Sequence, residues 1–103
     1  MPRKHTDLPP LIQRMERAKH LQGVEYARAL VELAQDPDAV VLTIDEYAVL
    51  IRQYAGGMKV SEIAAEFGLF GHNGDISRYA SSGIKKLRKL QQGEYVQEYE
   101  MPV

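Results

Sequence analysis

Apolar residues recur at helical spacing through the last third of the chain, and this pattern restricts the fold more than any other feature. They stand at positions 76, 80, 83 or 84, 87 and 90, on one side of a helix with 3.6 residues per turn. Amphipathic runs of the same period fill most of the remaining sequence between turn signals. The sequence therefore predicts an all-α fold, a small helical domain of about five helices, whose last helix runs from near Asp75 to about Gln92.

Residue types at the ends of these runs predict where the earlier helices begin. Pro9 and Pro10 suit a first helical turn, because the amide that proline lacks would have no helical partner there. Thr43 and Glu46 have the spacing of a capping box, in which each side chain accepts from the other residue's backbone amide. The run at 40–42, just before this box, is either a short strand or an extended lead-in.

The third helix carries its apolar residues on one side, which predicts a buried face. These residues are Ile44, Tyr47, Ala48, Ile51, Tyr54 and Ala55. The Gly56-Gly57 pair ends this helix, since glycine adopts the left-handed conformation common at a helix C-terminus. A fourth helix covers residues 60–67, Gly68 terminates it, and a loop at 69–74 leads to the last helix.

The composition is that of one small domain. The chain has 103 residues, 45% of them hydrophobic and 26% charged, which is enough for one core and too little for two independent ones. It has no cysteine, which excludes disulfides and thiolate chemistry and fits a reducing cytoplasm. No apolar run approaches the ~20 residues that span a bilayer, and no secretion signal is recognisable. We therefore expect a cytoplasmic protein without a membrane partner.

Charge is distributed unevenly, although the formal net charge is only −1. Between residues 76 and 93 all charged residues are basic, whereas the tail from 94 to 103 carries three glutamates and no base. A near-neutral total argues mildly against a dedicated nucleic-acid binder. One basic stripe on a neutral-to-acidic body can nevertheless bind phosphates locally.

Residues 57–90 combine the features of a helix-turn-helix. Ala64 is small enough to let two helix backbones approach, and Gly68 permits the sharp change of direction that follows. When the apolar stripe of the last helix is buried, its opposite side projects polar and basic groups that fit a major groove about 12 Å wide. We therefore expect 1–103 to be a single domain, with N-terminal helices at 1–42, a helix-turn-helix core at 43–92 and an acidic tail at 93–103.

The outward side chains of this region divide into base readers and phosphate binders. Arg78 lies in the first turns of the last helix, where a guanidinium bonded to guanine contributes about 1–3 kcal/mol of discrimination. The predicted base-reading residues are Ser77, Arg78, Ser81 and Ser82. The predicted phosphate-binding residues are Lys59, His72, Asn73, Lys85, Lys86, Arg88 and Lys89.

Two stretches of this region resemble a known family. GMKVSEIAAEFGL, at 57–69, is similar to the first helix of the helix-turn-helix in LuxR-type regulators and in the fourth region of bacterial sigma factors. DISRYASSGIKKLRKL, at 75–90, looks like their recognition helix, and plasmid or phage repressors of the TrfB/KorA kind and Pap-type fimbrial regulators are looser relatives. The resemblance implies a DNA-binding core of three or four helices and a transcription regulator that reads bases with Ser77, Arg78 and Ser81. The chain departs from the family in having Lys59 at the helix cap and a longer turn.

Catalysis and metal binding have weak support in the sequence. His5, His20 and His72 lack metal-ligand spacing, and a polar turn with a helix cap explains His72 and Asp75 better than a catalytic pair does. We expect no enzymatic activity and no cofactor.

Specific DNA sites are typically read by dimers with spaced half-sites, so we expect a homodimer. The interface belongs either to the N-terminal helices or to the tail, and the helices are preferred. Their predicted dimerisation residues are Leu11, Ile12, Met15, Tyr26, Leu30 and Leu33. A repressor is favoured over an activator, because a small repressor needs only to occupy a promoter. The alternative is a sigma-like or anti-sigma-like adaptor that binds RNA polymerase through the acidic residues Asp36, Asp38, Asp45 and Glu46.

Overall fold

The structure, a computed structural model, describes residues 8–93, which form five α-helices. They are α1 (Pro10–Ala18), α2 (Gly23–Ala34), α3 (Ile44–Leu50), α4 (Val60–Glu66) and α5 (Asn73–Gln91). A 3-10 helix, Pro37–Val41, precedes α3, and a π-helical turn, Ile51–Ala55, continues it. Between residues 8 and 93 there is no strand, so the all-α prediction is confirmed. The acidic tail at 94–103 lies outside the described residues.

The predicted helix starts at α1 and α3 are confirmed. α1 begins at Pro10, with Pro9 as its N-cap residue. At α3, the Glu46 amide donates to Thr43 Oγ1 at 3.1 Å, and the Thr43 amide donates to Glu46 Oε1 at 2.9 Å. The capping box therefore satisfies two amides that the first helical turn leaves without helical partners.

One core connects all five helices. α1 packs against α2 and the π-helical turn, and α5 packs against α3, α4 and the 3-10 helix. The largest side chains of this core have less than a tenth of their surface exposed: Leu11, Ile12, Met15, Leu33, Val41, Val49, Leu50, Ile63, Ile76 and Leu87. Burial of these apolar side chains is the main stabilising contribution to a fold of this size.

The predicted apolar face of α3 and the turn after it is confirmed only in part. Ala55 is buried, and Tyr47, Ile51 and Tyr54 are half-buried against the core, whereas Ile44 is 87% exposed. Ala48 is half-buried. Val49 and Leu50 are fully buried instead, on the same side as Glu46. On this side of α3 the Glu46 carboxylate also bonds to side chains of α5, a contact that the apolar pattern could not reveal.

The junction between α4 and α5 spans residues 67–72 and begins with a Schellman motif. The Leu69 amide donates to the Ala64 carbonyl at 2.7 Å, and the Gly68 amide donates to the Ala65 carbonyl at 3.0 Å. Gly68 has φ +74°, the left-handed conformation that this motif requires and that glycine adopts at little cost. The predicted role of Gly68 as terminator is confirmed.

Two predicted boundaries need correction. α5 begins at Asn73, with His72 as its N-cap residue, so Asp75 lies inside the first turn and does not cap the helix. The run at 40–42 is neither a strand nor an extended lead-in, because most of it belongs to the 3-10 helix Pro37–Val41. Asp36 starts that helix by accepting the Asp38 amide at 2.9 Å.

The residues predicted for dimerisation largely belong to the core of a single chain. Leu11, Ile12 and Met15 have no exposed surface, and Leu33 has 5%. Tyr26 and Leu30 are half-buried. The four buried residues have almost no area left for a second chain, so their assignment to a dimer interface is corrected, and dimerisation itself stays a prediction.

Across residues 8–93, the structure has no helix that combines the length and apolar character needed to cross a membrane.

Candidate nucleic-acid interface

Four of the predicted DNA-binding residues form one row along the solvent side of α5. They are Arg78, Ser81, Lys85 and Lys89, and all four are exposed. Their spacing of three, four and four residues keeps them on one side of a helix. The buried residues Ile76, Ala80, Gly83 and Leu87 lie on the opposite side. The row extends about 17 Å at 1.5 Å per residue.

The front of this row is held in place by a local ion pair. A terminal nitrogen of Arg78 donates to Asp75 Oδ1 at 2.8 Å, while 77% of the Arg78 side chain stays exposed. Ser77, beside it, is also exposed. Arg78 can therefore reach a ligand in solvent, but it must exchange its bond to Asp75 for one to a base.

Ser82 and Lys86, predicted to contact DNA, point toward α3 instead. Ser82 Oγ donates to Glu46 Oε2 at 2.7 Å, and Lys86 Nζ donates to Glu46 Oε1 at 2.9 Å. Both residues are half-buried. Their polar atoms hold α5 against α3, which leaves them poorly placed to read bases or bind phosphate.

Glu46 has 4% of its surface exposed and receives both bonds from α5. Burial opposes ionisation of its carboxyl, but bonds from Ser82, the Thr43 amide and Lys86 together outweigh burial and keep the pKa of Glu46 below its ordinary value. The carboxylate is therefore ionised at neutral pH. It fixes the rotation of α5, and with it the direction in which the exposed row faces.

Close approach of α3 and α5 also depends on Gly83. A Cβ added there would lie 2.7 Å from Leu50 Cδ1 and 3.4 Å from Glu46 Cβ. Only glycine fits this spacing without movement of a fully buried leucine. Gly83 and Glu46 thus position the exposed row without belonging to it.

The other predicted phosphate-binding residues lie at helix starts and near the end of α5. Lys59 is exposed at the start of α4, where its amide donates to Glu62 Oε1 at 2.8 Å. His72 and Asn73 are exposed at the start of α5, where helix amides favour anions. Arg88, in contrast, is half-buried beside the row. The structure thus brings Lys85 and Lys89 into the row, whereas the other predicted phosphate-binding residues lie outside it.

Three residues near this row were not predicted as part of it. Gln92 is exposed three positions after Lys89 and continues the row. Its helical spacing from Lys89 would have been enough to predict this position from the sequence. Asp75 pairs with Arg78 at i and i+3, which sequence spacing also allows. Glu46 could not be identified in this way, because its partners on α5 lie far along the chain.

The acidic residues of the alternative adaptor surface are mostly engaged within the chain. Arg14 donates to Asp36 at 2.8 Å and to Asp38 at 3.3 Å. Glu46 is buried against α5, whereas Asp45 is exposed. Little acidic surface therefore remains in this region for a partner.

The pair that could suggest a catalytic site is open to solvent. His72 Nδ1 lies 3.5 Å from Asp75 Oδ2, and both side chains are more than 40% exposed. Within residues 8–93, no three histidine, aspartate or glutamate side chains are grouped so that they could hold a metal ion.

Comparison with known proteins adds no relative: no family model, no curated protein and no solved structure matches the chain.

Proposed function

We propose that this protein is a sequence-specific double-stranded DNA-binding transcriptional regulator that reads the major groove with α5. The observation that carries the proposal is the exposed row of Arg78, Ser81, Lys85 and Lys89 on a helix whose other side is buried. No acid occurs in α5 after Asp75, so three basic side chains of the row follow one another without an acid between them, a distribution that attracts phosphates. The proposed regulator is a cytoplasmic repressor that acts as a homodimer.

Dimensions support this assignment. α5 has 19 residues and is about 28 Å long, and helices of this diameter enter the major groove. The row of about 17 Å matches roughly five base-pair steps of 3.4 Å. Arg78 lies at the end of the row nearest the helix start, where recognition helices contact base edges, and the lysines lie where such helices approach the backbone.

The adaptor alternative has less support. Three of its four acidic residues, Asp36, Asp38 and Glu46, form ion pairs inside the chain. A partner would have to displace Arg14 or Lys86 to reach them. No contact of the described residues favours an RNA polymerase surface over DNA.

The proposal is tested by selecting bound duplexes from a random pool and measuring affinity for the enriched sequence at 50 and 200 mM salt. We expect an enriched motif and binding that weakens steeply with salt. The combined variant Arg78→Ala, Lys85→Ala, Lys89→Ala should lose binding, whereas Arg17→Ala, on α1, should retain it. An unenriched pool, or equal binding by both variants, contradicts the proposal.

A further inference from the structure

The outward face of α2 carries an apolar row that no other part of residues 8–93 covers. Val24 is 72% exposed and Val31 58% exposed, and Ala27 and Ala34 between and after them are exposed as well. These four residues are called the α2 seam. Their spacing of three, four and three residues is that of a helix-pairing seam. The opposite side of α2 supplies Leu33 to the core, so both sides of this helix are apolar.

The seam is self-complementary in the antiparallel direction. The spacing of three, four and three residues is the same from either end of the seam. When a second copy of the seam runs in the opposite direction, each valine faces an alanine. Two α2 helices related by a two-fold axis therefore place Val24 against the partner's Ala34, and Val31 against the partner's Ala27. Large side chains then meet small ones along the whole seam, which is the arrangement that closely packed helices require.

Charges beside the seam fit the same pairing. Arg28 and Glu32 are exposed on one edge of it. In the antiparallel pair, Arg28 lies opposite residue 30 of the second copy, about 3 Å along the axis from the level of the partner's Glu32. The partner's Arg28 lies at the same offset on the other side of residue 30, so two contacts between Arg28 and Glu32 stand against one between the two Arg28 side chains. The balance of charge across the pair is attractive and favours association of the seam with itself.

The contact surface continues beyond the helix pair. Ala34 lines a shallow, mostly apolar concavity together with Leu42, Ile44 and Ala48, and Ile44 is among the most exposed apolar side chains between residues 8 and 93. The pairing places the partner's Val24 at the mouth of this concavity. A 12-residue helix alone offers little area compared with the ~1,200 Å² that stable pairs bury, and the concavity adds apolar surface to the contact.

We infer that the chain forms a two-fold homodimer through antiparallel pairing of the α2 seam. The inference deepens the proposed function, because a dimer presents two α5 helices to two half-sites. It does not depend on DNA, since α2 packs mainly on α1 while α5 packs on α3, α4 and the 3-10 helix. The dimer can therefore be tested in the absence of DNA.

Sedimentation equilibrium tests whether the dimer exists. We expect the 11.6 kDa chain to reach twice that mass as its concentration rises through the micromolar range. Val31→Glu should remain monomeric, and its exposed position leaves the core intact, which circular dichroism checks. Phe70→Glu is the matched control, because Phe70 is 76% exposed but lies in the α4–α5 junction. A monomeric parent chain, or equal association of the parent and Val31→Glu, overturns the inference.

Disulfide cross-linking tests the direction of pairing, since the chain has no cysteine of its own. Ala27→Cys and Val31→Cys proteins are mixed in equal amounts and oxidised. Antiparallel pairing predicts the mixed disulfide in excess over both symmetric ones, whereas parallel pairing predicts the symmetric ones. Excess symmetric disulfides overturn the inference. A dimer that binds no duplex leaves it standing and removes the proposed function, and a monomer that binds duplex does the reverse.

Discussion

Lys86 Nζ lies 2.9 Å from Glu46 Oε1, and this bond joins α5 to the first turn of α3. The same carboxylate accepts the Ser82 hydroxyl and the Thr43 amide. One buried group therefore completes the cap of α3 and sets the rotation of α5. Glu46, which the sequence predicts as part of a helix cap, is therefore also the residue whose polar contacts orient the exposed row.

Glu46→Gln should lower the free energy of unfolding at pH 7 by about 1–3 kcal/mol, the range for losing a charged partner of buried polar groups. The pKa of Glu46 is lowered from 4.5 in the folded chain, so its ionisation stabilises the fold above that pH. This contribution is lost as pH falls through the folded pKa. Urea denaturation of both proteins at pH 7, 5 and 3.5 should therefore show a difference that shrinks with acidity.

Asp45→Asn is the control for Glu46→Gln. Asp45 is an exposed acid in the same first turn, and its substitution should change the unfolding free energy by less than about 1 kcal/mol. A Glu46→Gln difference that stays constant between pH 7 and 3.5 would show that the carboxylate charge does not stabilise the fold.

Gly83→Ala should destabilise the protein, although alanine favours helix by about 1 kcal/mol over glycine. The new methyl group would lie 2.7 Å from Leu50 Cδ1, and overpacking of this kind typically costs about 1–3 kcal/mol. Gly74→Ala is the matched control in the same helix, because a Cβ there meets nothing within 4 Å. Thermal unfolding should give a lower midpoint for Gly83→Ala and an equal or higher one for Gly74→Ala. The opposite order would mean that α3 and α5 lie farther apart.

The fold was largely predictable because its signals are local. The capping box at Thr43, the termination at Gly68 and the apolar stripe of α5 each depend on residues within a few positions of one another. The start of α5 was misplaced because both Asn73 and Asp75 suit the beginning of a helix. In the structure the helix begins at the earlier of the two, Asn73.

The candidate interface was less predictable, because it depends on contacts between distant residues. Ser82 and Lys86 fall on the polar side of the helical pattern, and only the position of Glu46 on α3 shows that they face inward. The four buried residues that the sequence assigned to a dimer interface were wrong for a related reason. An apolar side chain such as Met15 suits a core and an interface equally well, and the sequence alone does not separate the two.

Lys85→Ala and Lys89→Ala should each weaken duplex binding to the same degree for all sequences. Each lysine that neutralises a phosphate contributes about 0.9 to the slope of log K against log salt, so each substitution should reduce the slope by about that amount. Fluorescence anisotropy between 50 and 200 mM salt measures it. Arg17→Ala, an exposed base on α1, should leave the slope unchanged, and an equal effect from all three would indicate non-specific attraction.

Arg78→Ala should remove sequence preference by about 1–3 kcal/mol, the discrimination expected from one guanidinium–guanine contact. Asp75→Asn should raise the affinity for duplex DNA. The substitution releases Arg78 from a 2.8 Å bond and removes a negative charge near the phosphates. The loss of a first-turn acid costs the helix about 0.3–1 kcal/mol, which thermal unfolding reports separately. Competition between the selected duplex and a single-base variant measures both effects. If Arg78→Ala keeps the parent's preference, a different residue of the row reads the base, and Ser81 is the next to substitute.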